Sequence, residues 1–324
     1  MKIKTEIPKT ANIYSFISHL SQWNELTCIP QRKKEWLAKT GKLSNDEKKS
    51  LEKFCLIWQK SKFDLELFFL FNDQKKIWPN LTKKIGVKKT LEIKKIFEVF
   101  ENKFNLIWQN GNKKLNILLK EFEKKDGMVQ KKLEVIQKLC GLKNSQVPKK
   151  IKLKMLLSGN KKDCSGWSHD NTVILECSEW PIKKIDYLVN SIFLHECFHS
   201  FFQKNKKLFI ETKAMAKNND KLIRKIGLKN WSTKIIFQEA LISSFLPEGY
   251  LTEKFLKIDV RKAAKQKLNN KNIDIFSKLR YFCALNLYPL AKQYVEQNKK
   301  LDHFYLEKTI VYLKDFILIN KKSG

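Results

Sequence analysis

Residues 191–202 read Ser-Ile-Phe-Leu-His-Glu-Cys-Phe-His-Ser-Phe-Phe, and they hold the residue types best suited to chemistry. Two histidines four residues apart, His195 and His199, lie one above the other on a helix, so their imidazoles meet at one point. A neutral imidazole is a good zinc ligand, and a catalytic zinc needs three protein ligands plus one position left open for water. Glu196 follows His195 directly and reaches that water without taking a coordination place, which suits it to accept a proton. Two ligands and a general base within five residues are what metal-assisted hydrolysis requires.

Such a pair works only if a helix carries it. Ile185, Leu188, Val189, Ile192, His195, His199 and Phe202 follow the i, i+3, i+4, i+7 rhythm of one helical face. The histidines therefore continue an apolar stripe. Pro181 suits the first turn, with Ser178 upstream as a cap. Cys197 falls between the ligands in sequence but points away from them, so it is read as packing and not as a nucleophile.

A third ligand must come from elsewhere. A histidine six residues after His199 with a glycine between is ruled out, since those places hold Asn205 and Phe202. Downstream, residues 231–246 read as an amphipathic helix ending before Pro247, and Glu239 shares a face with Ile235, Ile236, Ile242 and Leu246. A lone buried carboxylate is costly, and a metal would supply its partner. Glu211 and Glu248 stand as alternatives. The first follows His199 so closely that the chain must double back; the second sits in a Pro-Glu-Gly turn.

His195-Glu196-Cys197-Phe198-His199, followed some forty residues later by Glu239 on a second helix, resembles the gluzincin branch of the zincin metallopeptidases. The resemblance covers roughly residues 150–250. It implies a Zn2+ held by His195, His199 and Glu239, Glu196 as general base, and a peptide or protein as substrate. In that family an acidic residue four positions after the ligand glutamate often orients one histidine; here that place is Ser243, a weaker acceptor. The family commonly adds a tyrosine or histidine that stabilises the oxyanion, and Tyr250, Tyr281, Tyr288, His169 and His303 are available for it. None is assigned that role. His19 is read as structural.

Composition narrows the alternatives. The 324 residues carry 65 Lys and Arg against 33 Asp and Glu, a net charge of +32. That balance raises a nucleic-acid reading, but only Arg32, Arg224, Arg261 and Arg280 are arginines, and the lysines spread over the whole length. Arginine is the residue preferred for bidentate phosphate and base contacts, so no dedicated nucleic-acid role is expected. Cys28, Cys55, Cys140, Cys164, Cys177, Cys197 and Cys283 are odd in number and form no C-x-x-C pair, which fits a reducing compartment. The first residues lack an apolar signal region, and the longest apolar stretches fall well short of the roughly 18 residues a membrane span needs. A cytoplasmic enzyme is the expectation.

The expected fold is mainly α with a small β-hairpin or sheet (α+β). A helical region spans 1–147, and a zincin-like domain with C-terminal helices spans 148–324. In the first region Ser44-Asn45-Asp46-Glu47 is a capping-box start. Leu51, Phe54, Trp58 and Phe63 then lie at helical spacing, and Asn110-Gly111-Asn112 reads as an interruption of the helix that starts near Thr90. The segment 141–148 is the expected boundary. Beyond it, Ile151–Met155 and Thr172–Cys177 read as strands, with Ser158-Gly159-Asn160 and Cys164–Ser168 as loops. A strand beside a metal site suits strand addition by an extended peptide, although a plain structural hairpin accounts for it equally. Pro289 reads as a break in the helix 279–295. A zinc-binding module with little turnover is the competing function, and a basic nucleic-acid-binding helical protein the less favoured one.

Overall fold

The computed structural model describes residues 1–23, 30–61, 64–159, 164–228 and 231–321. Cys28, Phe63 and Asn160 lie outside the described residues. Helices make up 72% of the chain and the sheet has four strands, so the protein is mainly α with a small sheet. Two compact units emerge, each assembled from separated segments. One combines Ile3–Lys124 with Ile151–Ile185; the other combines Met1–Lys2, Lys125–Lys150 and Asp186–Gly324. The expectation of domains 1–147 and 148–324 differs from this grouping, which exchanges chain between the units more than once.

The sheet unit holds β1 (Lys2–Glu6), α1 (Lys9–Ser21), α2 (Pro30–Thr40), α3 (Asn45–Gln59), α4 (Leu65–Phe71), α5 (Ile77–Ile85) and α6 (Val87–Glu123). Ser44 caps α3 as its sequence promises: its Oγ accepts from Glu47 N at 3.2 Å, and the Glu47 carboxylate accepts from Ser44 N at 2.7 Å. The Asn-Gly-Asn stretch does not interrupt α6, which runs unbroken through it for 37 residues. Gly111 is there for close packing. A Cβ at that position would stand 2.3 Å from Leu157 Cδ2, so only a bare backbone admits the leucine.

The sheet follows with β2 (Lys150–Leu156), β3 (Ser165–His169) and β4 (Thr172–Glu176), in the order β1-β2-β4-β3. Strands β2 and β4 are parallel, and β3 and β4 form an antiparallel hairpin. Two of these strands were unexpected. In β1, read within a wholly helical region, Ile3 and Thr5 alternate inward with period two. In β3, taken for a loop, the signal is the two-residue Asp170-Asn171 connection, whose Asp170 takes a positive φ of 51°. Asp and Asn tolerate that conformation, which matches the twist of a hairpin.

The histidine unit is built from helices: α7 (Asp126–Leu139), α8 (Ile185–Tyr187), α9 (Leu194–Lys204), α10 (Lys206–Asn218), α11 (Asp220–Ile223), α12 (Thr233–Ser243), α13 (Tyr250–Leu256), α14 (Val260–Leu268), α15 (Ile275–Glu296) and α16 (His303–Lys321). Its core runs through Phe198, Phe202, Phe237, Leu241, Phe245, Leu287 and Tyr305, all buried. Side-chain caps start α10, α12, α14, α15 and α16: Asn205 accepts from Leu208 N, Ser232 from Ile235 N, Asp259 from Lys262 N, Asp274 from Ser277 N and Asp302 from Tyr305 N. Pro289 does not break α15, which stays helical on both sides of it. The proline is exposed, on the side where a missing backbone donor is least costly.

Candidate metal centre

The helix that carries the histidines is not a simple amphipathic one. Between α8 and α9, Leu188–Phe193 form a π-helical segment, a form that is rare and often found at functional sites. The extra residue per turn rotates the chain, yet of the expected stripe Ile185, Leu188, Val189, His195 and Phe202 are buried. Ile192 is only half-buried, whereas Asn190, Ser191, Phe193 and Leu194 are buried. Lys132 on α7 donates to Asn190 Oδ1 at 2.6 Å and holds this segment from outside. From Leu194 to Phe202 the helix is enclosed nearly all round, with only His199 less than fully buried. Cys197 is wholly buried, and burial raises its thiol well above the usual range, as its reading as a packing residue requires.

Helix α12 packs beside α9 and brings Glu239 to the two imidazoles. His195 Nε2 and His199 Nε2 are 3.1 Å apart. Glu239 Oε1 is 3.0 Å from His199 Nε2, and Glu239 Oε2 is 3.5 Å from His195 Nε2. Bonds of about 2.05 Å at tetrahedral angles place ligand atoms about 3.3 Å apart; the two imidazole nitrogens, and Oε1 with His199 Nε2, lie near that spacing, and one donor atom from each of the three residues lies within 4.8 Å of the others. Solvent still reaches the cluster: the side chains of His199 and Glu239 keep 12% and 13% of their exposure. Ile235 does not share the buried face expected for Glu239; it is 39% exposed.

A backbone carbonyl fixes the His195 ring. Leu246 O lies 2.9 Å from His195 Nδ1. A carbonyl only accepts, so Nδ1 carries the hydrogen and the neutral ring turns its Nε2 lone pair toward the cluster. Leu246 thus does what the sequence reading gave to Ser243. The Ser243 hydroxyl is buried and donates to Ala240 O at 3.1 Å. Leu246 O is held in place by a tight loop in which Tyr250 N returns to Ser244 O at 3.0 Å. Gly249 makes that loop possible, because a Cβ there would lie 1.8 Å from Ser244 O.

The alternative ligands are engaged elsewhere. Glu211 accepts from His303 Nδ1 at 2.5 Å. Glu248 lies close by but binds Arg280, whose Nη2 is 2.8 and 3.1 Å from its two oxygens. Arg280 also stands next to Glu239, with Nε 3.8 Å from Oε2. Sequence reasoning noted Arg280 only as one of four arginines; nothing in its local pattern marks it as a neighbour of the cluster. Among the residues considered for an oxyanion, Tyr250 donates to Glu296 at 2.7 Å and Tyr288 to Glu253 at 2.5 Å. His169 is exposed in the sheet unit beside Asp170, and His303 binds Glu211 and Glu307. Burial raises the Tyr281 hydroxyl, and the Glu248 charge adds to the rise. Tyr187, not considered from sequence, is raised by the same two causes.

The electrostatics follow from titratable groups crowded together with little solvent. Burial alone would push the Glu239 carboxyl up, but the His199 and His195 imidazoles reverse this and hold it well below the usual range. Burial likewise opposes a charge on His195, and Glu239, helped by Glu196, outweighs it and raises the imidazole. Glu196 is buried at 8% exposure, near enough for its charge to be felt by His195.

In the sheet unit, His19 is structural, as expected. Its Nε2 is 2.8 Å from Glu176 Oε1, while Arg32 Nη1 is 3.1 Å from Oε2 and Ser15 also donates to Oε1. Burial would raise Glu176, but His19, Arg32 and Ser15 hold it below its ordinary value. Among the described residues, no helix is long and apolar enough to cross a membrane. In comparison with known proteins, the chain matches no family model, no curated protein and no solved structure.

Proposed function

We propose that the protein is a zinc-dependent peptidase of the gluzincin type, with Zn2+ held by His195, His199 and Glu239. The supporting observation is the convergence of three donor atoms from two helices to within 4.8 Å of one another, with the His195 lone pair already turned inward by Leu246 O. Zinc suits a donor set of two imidazoles and one carboxylate. When bound, zinc supplies a Lewis acid that polarises a carbonyl and acidifies water.

The chain's own residues do the rest. Glu196 accepts the proton of the attacking water and returns it to the leaving nitrogen. It follows His195 on α9, so the helix that supplies two ligands also fixes the base. Leu246 O keeps His195 in the ligand tautomer. Partial enclosure of His199 and Glu239 strengthens charge interactions there while leaving an approach for a peptide.

The test is zinc content per chain of the purified protein beside His199→Ala and Glu239→Ala, followed by a peptide-hydrolysis screen of wild type and Glu196→Gln. The expected result is near-stoichiometric zinc lost in both ligand variants, and hydrolysis lost in Glu196→Gln with zinc retained. Zinc with no turnover in the wild type would favour the binding-module reading. A wild type that takes up no zinc even when supplied with it would end the peptidase proposal.

A further inference from the structure

The Glu239 carboxylate uses its two oxygens unequally. Oε1 lies 3.0 Å from His199 Nε2, whereas Oε2 is buried, stands 3.5 Å from His195 Nε2 and accepts no hydrogen bond. The buried Nε–H of Arg280 also lacks an acceptor. These two groups, of opposite charge and each without a hydrogen bond, lie 3.8 Å apart. Leaving both unpaired away from water is costly, and a shift of less than about 1 Å by either side chain brings them within hydrogen-bond range.

The rest of Arg280 is anchored so that this edge of its fork faces Glu239. Nη2 holds both oxygens of Glu248, and the guanidinium carbon lies 5.7 Å from the centre of the Phe276 ring. Glu248 comes from the loop that presents Leu246 O to His195, so one loop braces two of the three ligands. We propose that Arg280 is a positioning residue for Glu239: its Nε engages Oε2 and leaves Oε1 as a single ligand atom. The inference rests on the metal-centre reading above. A carboxylate that binds through one oxygen takes one coordination place and not two, which keeps a place open for water. Lysine cannot substitute fully, because it offers a point charge where arginine offers a fork that binds two carboxylates at once.

The experiment compares the full-length wild type with Arg280→Met, Arg280→Lys and Glu248→Gln. Zinc affinity is read by competition with a chelator, and ligand arrangement by the visible spectrum of the cobalt-loaded protein. Arg280→Met is expected to bind zinc roughly 10–100-fold more weakly, as loss of a partner that orients a ligand does, and to shift the cobalt bands. Arg280→Lys should recover part of the affinity, which a purely structural role would not predict from charge alone. Glu248→Gln should move both readouts in the same direction by less. Arg280→Met with zinc affinity within about two-fold of wild type and an unchanged cobalt spectrum would overturn the inference. Should Arg280→Met fail to fold, unchanged affinity and spectrum in Glu248→Gln overturn it instead. A wild type that takes up neither metal removes the metal centre itself, and this inference with it.

Discussion

Replacing Gly249 by alanine should damage the proposed metal centre without touching any of its three proposed ligands. The added Cβ would stand 1.8 Å from Ser244 O, 2.0 Å from Ser244 C and 2.5 Å from Phe245 N, where real Cβ atoms keep at least 3.0 Å. All three are backbone atoms, so no rotamer change relieves the clash, and the loop must open by about 1.2 Å (3.0 minus 1.8 Å). That movement breaks or stretches Tyr250 N to Ser244 O and Leu251 N to Phe245 O, both 3.0 Å, and displaces Leu246 O from His195. At about 1 kcal/mol for each of three hydrogen bonds, the expected loss is about 3 kcal/mol. Gly249 sits at the cap of α13 and not inside it, so alanine's helix preference offsets little. The assay is urea unfolding of the metal-free protein, followed by chelator competition for zinc. Affinity should fall roughly 10-fold or more as His195 loses its fixed tautomer. Stability within about 0.5 kcal/mol of wild type, together with unchanged zinc affinity, would refute the role given to this loop.

Two further predictions concern the sheet unit. Burial, with the charges of Asp64 and Glu176, pushes the Glu66 carboxyl up from 4.5 to about 7. A raised carboxyl favours the folded state when protonated, so its contribution is present below about 4.5 and gone once the pH has risen through about 7, a loss of up to about 3 kcal/mol. Glu66→Gln, which cannot ionise, should therefore be more stable than wild type at pH 8 and nearly equal to it at pH 4 in urea titrations; equal stability at pH 8 would count against it. Gly111→Ala should cost a net of about 1 kcal/mol, because overpacking against Leu157 at 2.3 Å outweighs the helix preference of alanine. Leu157→Ala in the same chain should relieve that clash, whereas strictly additive costs would show that the two positions do not press on each other.

Much of the fold class was legible because it depends on local pattern. The Ser44–Glu47 box, the aromatic faces of α3 and α6 and the run of β-branched residues in β4 each carry their own signal. The failures share a cause, which is that a distant partner overrode the local reading. Gly111 looks like a break until Leu157 packs on it. Lys154 looks like the exposed half of an alternating strand, yet it is 1% exposed because its ammonium reaches Asn72 O at 2.6 Å and Glu6 at 3.4 Å. Strand β1 is short, and its place at the sheet edge beside β2 depends on residues about 150 positions away.

The candidate site divides along the same line, and the division has a physical reason. The meeting of His195, His199 and Glu239 was legible because the proposed metal site needs particular side chains at helical spacing, and spacing is written in the sequence. Their supports were not. The orienting group for His195 is a carbonyl, which every residue possesses, so Leu246 carries no mark of its task. Ser243 was chosen because a side chain was sought. Arg280 lies 41 positions after Glu239 (280 minus 239) on another helix, and its value depends on two carboxylates meeting there. The π-helical segment before His195 belongs with these. Its register shift leaves Ile192 only half-buried within the stripe read from Ile185 to Phe202 and buries Asn190 and Ser191 beside it, while both histidines still lie next to Glu239. A pattern of period 3.6 cannot reveal a helix that departs from it for six residues. The i, i+4 spacing of the histidines survives because it lies wholly within α9, after the departure has ended. Ligands placed on a regular helix and braced by irregular backbone are what a site held to fractions of an ångström requires, and only the regular part is open to reading by spacing.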